Sequence, residues 1–243
     1  MTRTAIVTGA GKRVGRVLAE GLLADGWTVV AHVRRETDDV PQGALKVVAD
    51  LADGDGAAEA IMAACAQAPS LLVNNAARFA PDTLSRFSAD ELAAHMAVNV
   101  AAPALLTAAF GRAAGEGRDR LVVNILDAKL AAPNPDFLSY TLSKAALAAL
   151  TTLSAQDLAA RGIRVNAIAP ALMLISEGQT QANFDAMHRF NPLQRGVEPA
   201  DVLHALRFLV DSPTLTGETL TLDGGQRFWR LPRDVQYLDP GQS

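Results

Sequence analysis

One stretch near the start of the chain indicates the fold: Thr4-Ala5-Ile6-Val7-Thr8-Gly9-Ala10-Gly11-Lys12-Arg13-Val14-Gly15. It opens with apolar and β-branched residues, which predict a short buried strand. The glycines predict a tight turn, and a helical pattern then covers residues 14–25 before Gly26 ends it. The stretch therefore predicts a strand, a tight turn and a helix.

The same alternation continues along the chain. Further strands are predicted at 28–33, 44–48, 71–74, 120–126, 163–168 and 219–222, and helices at 55–66, 89–111, 140–160 and 199–210. Such alternation is typical of a parallel sheet covered on both faces. We therefore predict a single α/β domain over 1–243, a Rossmann-type doubly wound parallel sheet of about seven strands. The polar segment 173–196 is predicted to be an irregular, mobile substrate loop.

Composition and charge restrict the ligand. The 243 residues are 49% hydrophobic and 20% charged, with a net charge of -4 and no long basic run, so neither a nucleic-acid nor a membrane partner is expected. The four histidines are scattered without ligand spacing, and we predict no metal site. The single cysteine, Cys65, fits a reducing compartment. We expect a cytoplasmic protein with a small-molecule ligand.

The first turn has the features of a phosphate-binding site. Glycines let a ligand approach the backbone, and the start of the following helix presents free N–H groups. The candidate residues are Gly9, Gly11, Lys12, Arg13, Val14 and Gly15. This is not a P-loop, because Arg13 follows Lys12 where a P-loop has Ser or Thr. A plain tight turn is the alternative.

The second strand carries a signal for the type of dinucleotide. An NAD-binding chain would place an acid at its end, but here Arg34 and Arg35 follow Val33. Guanidinium groups suit a 2′-phosphate, which favours NADPH, although both arginines could be solvated loop residues. Asp50 and Leu51 follow the third strand, at the edge where adenine is expected.

Candidate catalytic groups follow the fifth strand. Tyr140 and Lys144 are four residues apart, so they share one face of the predicted helix. An ammonium near a phenol favours the phenolate and lowers a pKa that is ordinarily about 10. Asp127 ends the strand thirteen residues before Tyr140. An amphipathic helix often produces this spacing by chance, so the pair gains weight only from its context.

Together these motifs resemble the short-chain dehydrogenase/reductase family from Thr8-Gly9 to Asp223-Gly224-Gly225. Matches also occur at Asn74-Asn75-Ala76, at Tyr140 and Lys144, and at Asn166-Ala167-Ile168-Ala169-Pro170. The resemblance implies that Tyr140 donates a proton and that Lys144 lowers its pKa and holds the nicotinamide ribose.

Further roles follow from the same resemblance. Asn99 would support a water relay toward Lys144, while Asn75 and Ala76 would contact the cofactor. Pro170 and Leu174 would lie near the nicotinamide carboxamide. The resemblance also implies a homo-oligomer, a dimer or a tetramer, formed through the long helices after strands four and five.

Two departures from the family pattern point to one branch, the pteridine reductases, which includes bacterial dihydromonapterin reductases. Arg13 replaces a glycine of the turn, and Asp127 replaces the serine that normally contacts a substrate carbonyl. Both exchanges resemble that branch, as does Phe79 after the Asn-Asn-Ala motif. The branch implies that Phe79 stacks on a pterin, that Arg13 reaches the pterin and a cofactor phosphate, and that Leu172 and Met173 wall the site.

The expected activity is NADPH-dependent reduction of a dihydropterin C=N bond, with dihydromonapterin, dihydrobiopterin or dihydrofolate as substrate. Asp127 would need a raised pKa to handle a proton, and desolvation could supply it. Two other readings stay open: a carbonyl reductase for 3-oxoacyl or other ketones, and a non-catalytic NADPH-binding sensor or scaffold. Asp127 could also merely cap the following loop, and Phe79 could be a core residue.

The C-terminal tail, residues 226–243, extends beyond the resemblance and contains Phe228, Trp229 and Tyr237. Aromatic side chains on a terminus are costly to expose. We therefore predict that the tail docks on the body of the protein or on a neighbouring subunit.

Overall fold

The computed structural model describes residues 3–113 and 119–238. Its centre is a parallel sheet, whose strands are β1 (Thr4–Thr8), β2 (Thr28–Val33), β3 (Leu45–Val48), β4 (Leu71–Asn74), β5 (Arg120–Ile125), β6 (Ile163–Pro170) and β7 (Thr219–Leu222). Their order is β3-β2-β1-β4-β5-β6-β7, and every neighbouring pair is parallel. The predicted doubly wound class is confirmed, with a switch point between β1 and β4.

Helices cover both faces of the sheet. They are α1 (Arg13–Ala24), α2 (Asp55–Ala63), α3 (Ala89–Met96), α4 (Ala102–Arg112), α5 (Leu138–Leu158), α6 (Gln181–Met187) and α7 (Pro199–Val210). In β1, Ala5 and Val7 face the core beneath α1 and α7, whereas Ile6 faces the core beneath α2, α4 and α5. Because successive strand residues point to opposite faces, these strands read as continuous apolar runs.

Two predicted segments differ from the structure. The helix expected over 89–111 is interrupted by a π-helical turn at Ala97–Ala101. The segment 173–196, expected to be irregular throughout, contains α6, and the Thr180 side chain caps it by accepting from the Asn183 amide at 3.2 Å. Short segments of this kind carry little apolar periodicity, so the pattern does not show them.

The run Ala89–Arg112 is long and apolar enough, by composition, to cross a membrane, with a mean hydropathy of 1.5. In this fold it packs against α2 and α5 on one face of the sheet. A core helix of a globular protein has the same composition, so the run is weak evidence for a membrane segment.

Buried polar side chains connect the central strands to α5. Asn74 Nδ2 on β4 donates to Asn124 Oδ1 on β5 at 2.8 Å, and Asn124 Nδ2 donates to Thr151 Oγ1 at 2.9 Å. Such a network holds the helix at a defined height above the sheet. It therefore helps to place the start of α5 at the carboxyl ends of the strands.

Candidate active site

A cleft opens where the carboxyl ends of the central strands meet, at the switch point of the sheet. Its volume is about 760 Å³, and the segments that follow β1 to β6 line it together with the C-terminal segment. Ligands of doubly wound proteins bind at this place. The predicted phosphate, adenosine and catalytic residues therefore have one common location.

The glycine-rich turn presents the start of α1 to the cleft. Lys12 precedes the helix, the first turn holds no acid, and no side chain of the described residues caps it. A Cβ on Gly15 would overlap the carbonyl oxygen of Gly9, and a Cβ on Gly11 would lie 2.7 Å from that of Asp39. The glycines thus allow the tight turn, and the open helix start suits an anion.

Arg13 occupies a backbone conformation that favours glycine. Its φ is 53°, in the left-handed region, which explains why a glycine is common at this place in the family. Its guanidinium donates to the carbonyl oxygens of Ile175 at 2.9 Å and Leu174 at 3.3 Å. Arg13 therefore bridges the turn to the segment after β6, and its contacts with a pterin and a phosphate stay predictions.

The adenosine end is formed as predicted, since Arg34, Arg35, Asp50 and Leu51 all line the cleft. The Asp50 carboxylate also accepts from the Ala52 amide at 3.0 Å, which fixes the turn after β3. The two guanidinium groups stand where the second strand ends, and that strand end carries no acid. This donor set suits a 2′-phosphate.

His32, which lines the same end of the cleft, was not predicted as a site residue. The Gly9 amide donates to its Nδ1 at 3.2 Å, and its Nε2 lies 3.0 Å from the Ala49 carbonyl oxygen. Burial lowers the pKa of His32, so the ring is neutral with its proton on Nε2. His32 thereby connects the glycine-rich turn to β3. Its position in β2 was the available signal.

Asn75 and Ala76 join the turns after β4 and β1. The Asn75 side chain donates to the Thr8 carbonyl oxygen at 2.9 Å. The Thr8 hydroxyl accepts from the amides of Asn75 at 2.9 Å and Ala76 at 3.0 Å. Both predicted residues line the cleft, and these bonds hold its floor in place.

Asp127 and Tyr140 form the catalytic corner. The Tyr140 hydroxyl donates to Asp127 Oδ2 at 2.8 Å, and the Lys129 amide donates to Asp127 Oδ1 at 2.8 Å. Asp127 therefore caps the following turn and pairs with Tyr140 at the same time. Burial raises the pKa of Asp127, as hypothesised from the sequence.

The expected lowering of the Tyr140 pKa is wrong for this structure. Burial raises that pKa well above 10, and the neighbouring Asp127 charge adds to the increase. Lys144 Nζ donates to the Ile125 carbonyl oxygen at 2.6 Å and lies 5.7 Å from the centroid of the Tyr140 ring. Burial lowers the pKa of Lys144 to about 8. Spacing placed both residues on one helix face but did not reveal how deeply they are buried.

Asn99 lies behind the cleft wall, in the π-helical turn. Its Oδ1 accepts from the Arg78 amide at 2.7 Å, and its Nδ2 donates to the Arg78 carbonyl oxygen at 3.0 Å and to Ser143 Oγ at 2.8 Å. Asn99 thus joins the loop after β4 to α5. Its predicted part in a water relay stays a prediction.

The substrate wall combines residues from three segments. Phe79 lines the cleft with 46% of its surface exposed, so it is not a core residue, and its ring makes an edge contact with Tyr140 at 4.7 Å between centroids. Leu172, Met173 and Leu174 line the opposite side. Pro170 is buried at the end of β6, behind that wall.

The tail completes the cleft on its own chain. Trp229, Leu231, Asp234 and Val235 line it, and Asn183 Nδ2 donates to the Leu238 carbonyl oxygen at 2.8 Å. Docking on the body is therefore confirmed up to residue 238, and residues 239–243 lie outside the described part.

Lys129 and Asp234 were missed by the sequence analysis. Lys129 Nζ lies 3.0 Å from Asp234 Oδ2, and both residues line the cleft beside the catalytic corner. They are more than a hundred residues apart in the chain, so local spacing gave no signal for the pair.

A doubly wound sheet with an open helix start, two arginines after β2 and a Tyr140–Lys144 pair at the switch point defines a dinucleotide-dependent oxidoreductase. The family model described as "Enoyl-(Acyl carrier protein) reductase" matches residues 9–227. The chain belongs to the short-chain dehydrogenase/reductase family and is an NADP-dependent enzyme, which sets aside the non-catalytic reading.

Comparison with known proteins supports the predicted branch. The structure titled FolM alternative dihydrofolate reductase 1 from Brucella suis, in complex with NADP, is 36% identical, with 95% of this chain and 97% of that chain covered and a TM-score of 0.88. Pteridine reductase 1 from Leishmania tarentolae is 30% identical, covering 93% of this chain and 96% of that protein. A 3-oxoacyl-[acyl-carrier-protein] reductase from Synechocystis is 28% identical, covering 92% and 96%. The chain lies in the pteridine reductase-like branch.

The residues of the cleft fit NADP(H). The open start of α1 would hold a phosphate through backbone N–H groups, and Arg34 and Arg35 would hold the 2′-phosphate. NADPH supplies the hydride when it is bound. The protein supplies the binding groups and the proton.

Proposed function

We propose that this enzyme reduces the C=N bond of a dihydropterin, such as dihydromonapterin, dihydrobiopterin or dihydrofolate. One observation carries the proposal: a buried carboxyl group, Asp127, forms a 2.8 Å hydrogen bond with Tyr140 where a ketone reductase of this family has a serine. The Brucella and Leishmania proteins described above support it by their names.

Reduction of a C=N bond puts hydride on carbon and requires a proton on nitrogen. Burial raises the pKa values of Asp127 and Tyr140, so the pair retains protons in the neutral range where a ring nitrogen can accept one. After transfer, the Lys129 amide, 2.8 Å from Asp127 Oδ1, stabilises the carboxylate that remains.

The substrate ring would lie beside Phe79, whose exposed ring lines the cleft next to Tyr140. Aromatic rings stack on heteroaromatic ligands and bring apolar area to a site with few conformations to restrict. Phe79 therefore sets the plane of the pterin, and the catalytic corner meets its edge.

A ketone reductase is the second candidate, because the Synechocystis relative is a 3-oxoacyl reductase. The test is NADPH oxidation with a dihydropterin beside an acetoacetyl thioester at equal concentration. We expect turnover of the pterin alone, and replacing Asp127 with Ser should lower it by roughly tenfold to a hundredfold. Ketone turnover with a silent pterin, or undiminished pterin turnover in Asp127→Ser, would contradict the proposal.

We also propose a homo-oligomer, a dimer or a tetramer, in the cytoplasm. The outer face of α5 supports the assembly, since Leu142 is 46% exposed and Leu153 is 62% exposed on one side of the helix. Apolar side chains that share an outer face are typical of a surface covered by another subunit.

A further inference from the structure

A column of aromatic rings leads from the C-terminal segment into the cleft. The rings of Phe79 and Phe137 stack with centroids 4.4 Å apart and planes inclined by 17°, and those of Phe137 and Tyr237 stack at 5.8 Å and 15°. The guanidinium of Arg233 lies 4.8 Å from the Tyr237 centroid and forms the outermost layer. One face of Phe79 is thus supported through Phe137 by the C-terminal segment.

Ion pairs hold this segment to the residue before Phe137. The Arg233 guanidinium donates to Asp136 through Nη2 at 2.9 Å and Nε at 3.2 Å, and the Asp234 amide donates to Asp136 Oδ2 at 2.9 Å. Lys129 Nζ donates to the Asp136 carbonyl oxygen at 2.6 Å and to Asp234 Oδ2 at 3.0 Å. Asp136 is buried, so these bonds are much stronger than exposed ion pairs.

Phe137 itself is held in an uncommon conformation. Its φ and ψ are 55° and 50°, in the left-handed region, while its side chain is only 1% exposed. A non-glycine residue keeps such a conformation only where its surroundings enforce it. Phe137 immediately precedes α5, three residues before Tyr140, so its orientation affects where the helix begins.

We propose that Tyr237, supported by Arg233, is a positioning residue of the active site: it holds Phe137 against Phe79 and so fixes the ring on which the substrate stacks. The proposal rests on the proposed function in taking a stacked substrate. Phe79 without this support has other rotamers available, because nearly half of its surface is exposed. A substrate that binds then has to restrict that freedom, which weakens binding.

The test compares Tyr237→Leu with Tyr237→Phe, which keeps the ring, and with Phe228→Leu, a change at a 70% exposed ring of the same segment that does not line the cleft. We expect Tyr237→Leu to raise the dihydropterin KM about 3- to 10-fold, with a smaller effect on kcat and an unchanged Kd for NADPH. Tyr237→Phe and Phe228→Leu should behave like the unaltered protein. An unchanged KM in Tyr237→Leu, or a KM in Tyr237→Phe as high as in Tyr237→Leu, would overturn the proposal.

A second measurement separates this proposal from the proposed function. Crystal structures of Tyr237→Leu and Arg233→Met should show Phe79 and Phe137 displaced from their stacked positions, whichever substrate the enzyme reduces. Arg233→Met also covers the case in which Tyr237→Leu fails to fold. Rings that stay in place would overturn the positioning role, whereas a silent dihydropterin with the unaltered protein would overturn only the substrate.

Discussion

At the scale of the residue, the exchange of a serine for Asp127 changes what the catalytic corner can do. A serine hydroxyl donates to a ketone oxygen, whereas a carboxyl group can hold a proton and release it. Burial raises the pKa of Asp127, and the Tyr140 hydroxyl is 2.8 Å away. The pair therefore binds one proton more readily than either group would in water.

Replacing Asp127 with Asn should remove one limb of the pH profile. If protonated Asp127 supplies the proton, kcat/KM of the unaltered enzyme falls as the pH rises through the raised pKa of Asp127. Asp127→Asn should be at least about tenfold slower and should lack that fall. Asp53→Asn, at an exposed position, is the matched control. A fall that persists unchanged in Asp127→Asn would assign it to another group.

The same change has a sign for stability. Because the folded-state pKa of Asp127 lies above its ordinary 3.8, the folded protein binds more protons than the unfolded chain between these values. The stabilising effect of protonation is present below 3.8 and is lost as the pH rises through the folded pKa. Urea unfolding should therefore show Asp127→Asn gaining stability relative to the unaltered protein with rising pH, and the opposite trend would contradict the raised pKa.

At the scale of the element, α5 serves two surfaces. Its inner face buries Tyr140, Lys144 and Leu147, which places the catalytic side chains over the sheet. Its outer face exposes Leu142 and Leu153. A helix that is apolar around most of its circumference is normally covered on both sides. The outer face of α5 is therefore where a second subunit is expected.

A charge on this face should dissociate the assembly. Replacing Leu153, which is 62% exposed, with Glu would bury a carboxylate in a subunit contact. We expect light scattering to give an oligomer for the unaltered protein and a monomer for Leu153→Glu. Leu84→Glu, at an 81% exposed position on a loop, should keep the oligomer. An unaltered protein that is already monomeric would contradict the prediction.

At the scale of the whole molecule, the cleft gathers segments from the carboxyl ends of β1 to β6 and from the C-terminal segment. These segments are distant in sequence, and only the folded chain brings them together. A cofactor that binds them binds the folded state alone. Its binding free energy therefore adds to the free energy of unfolding.

NADPH should consequently raise the melting temperature more than NADH does. At about 100 times its Kd it adds roughly 2.7 kcal/mol, or about 5 to 11 °C for a chain of this length. Replacing both Arg34 and Arg35 with Ala should reduce the NADPH shift to that of NADH at equal concentration, because the 2′-phosphate loses its partners. Arg112→Ala, at an exposed residue of α4, is the control. Equal shifts for both cofactors in the unaltered protein would contradict the assignment of these arginines.

The amino-acid sequence by itself determined the alternation of strands and helices, the glycine-rich turn and the spacing of Asp127, Tyr140 and Lys144. These features are local, because periodicity, turn residues and helical spacing depend on neighbours in the chain. The confirmed sheet class and cofactor follow from them.

Only the tertiary structure decided the direction of the Tyr140 pKa, the partners of Arg13 and the place of the C-terminal segment. Each depends on burial or on contact between residues far apart in sequence: Tyr140 is buried against Asp127, Arg13 bonds the carbonyl groups of Leu174 and Ile175, and Tyr237 stacks on Phe137. Desolvation and long-range contact arise from the packed interior, and a local pattern carries no record of either.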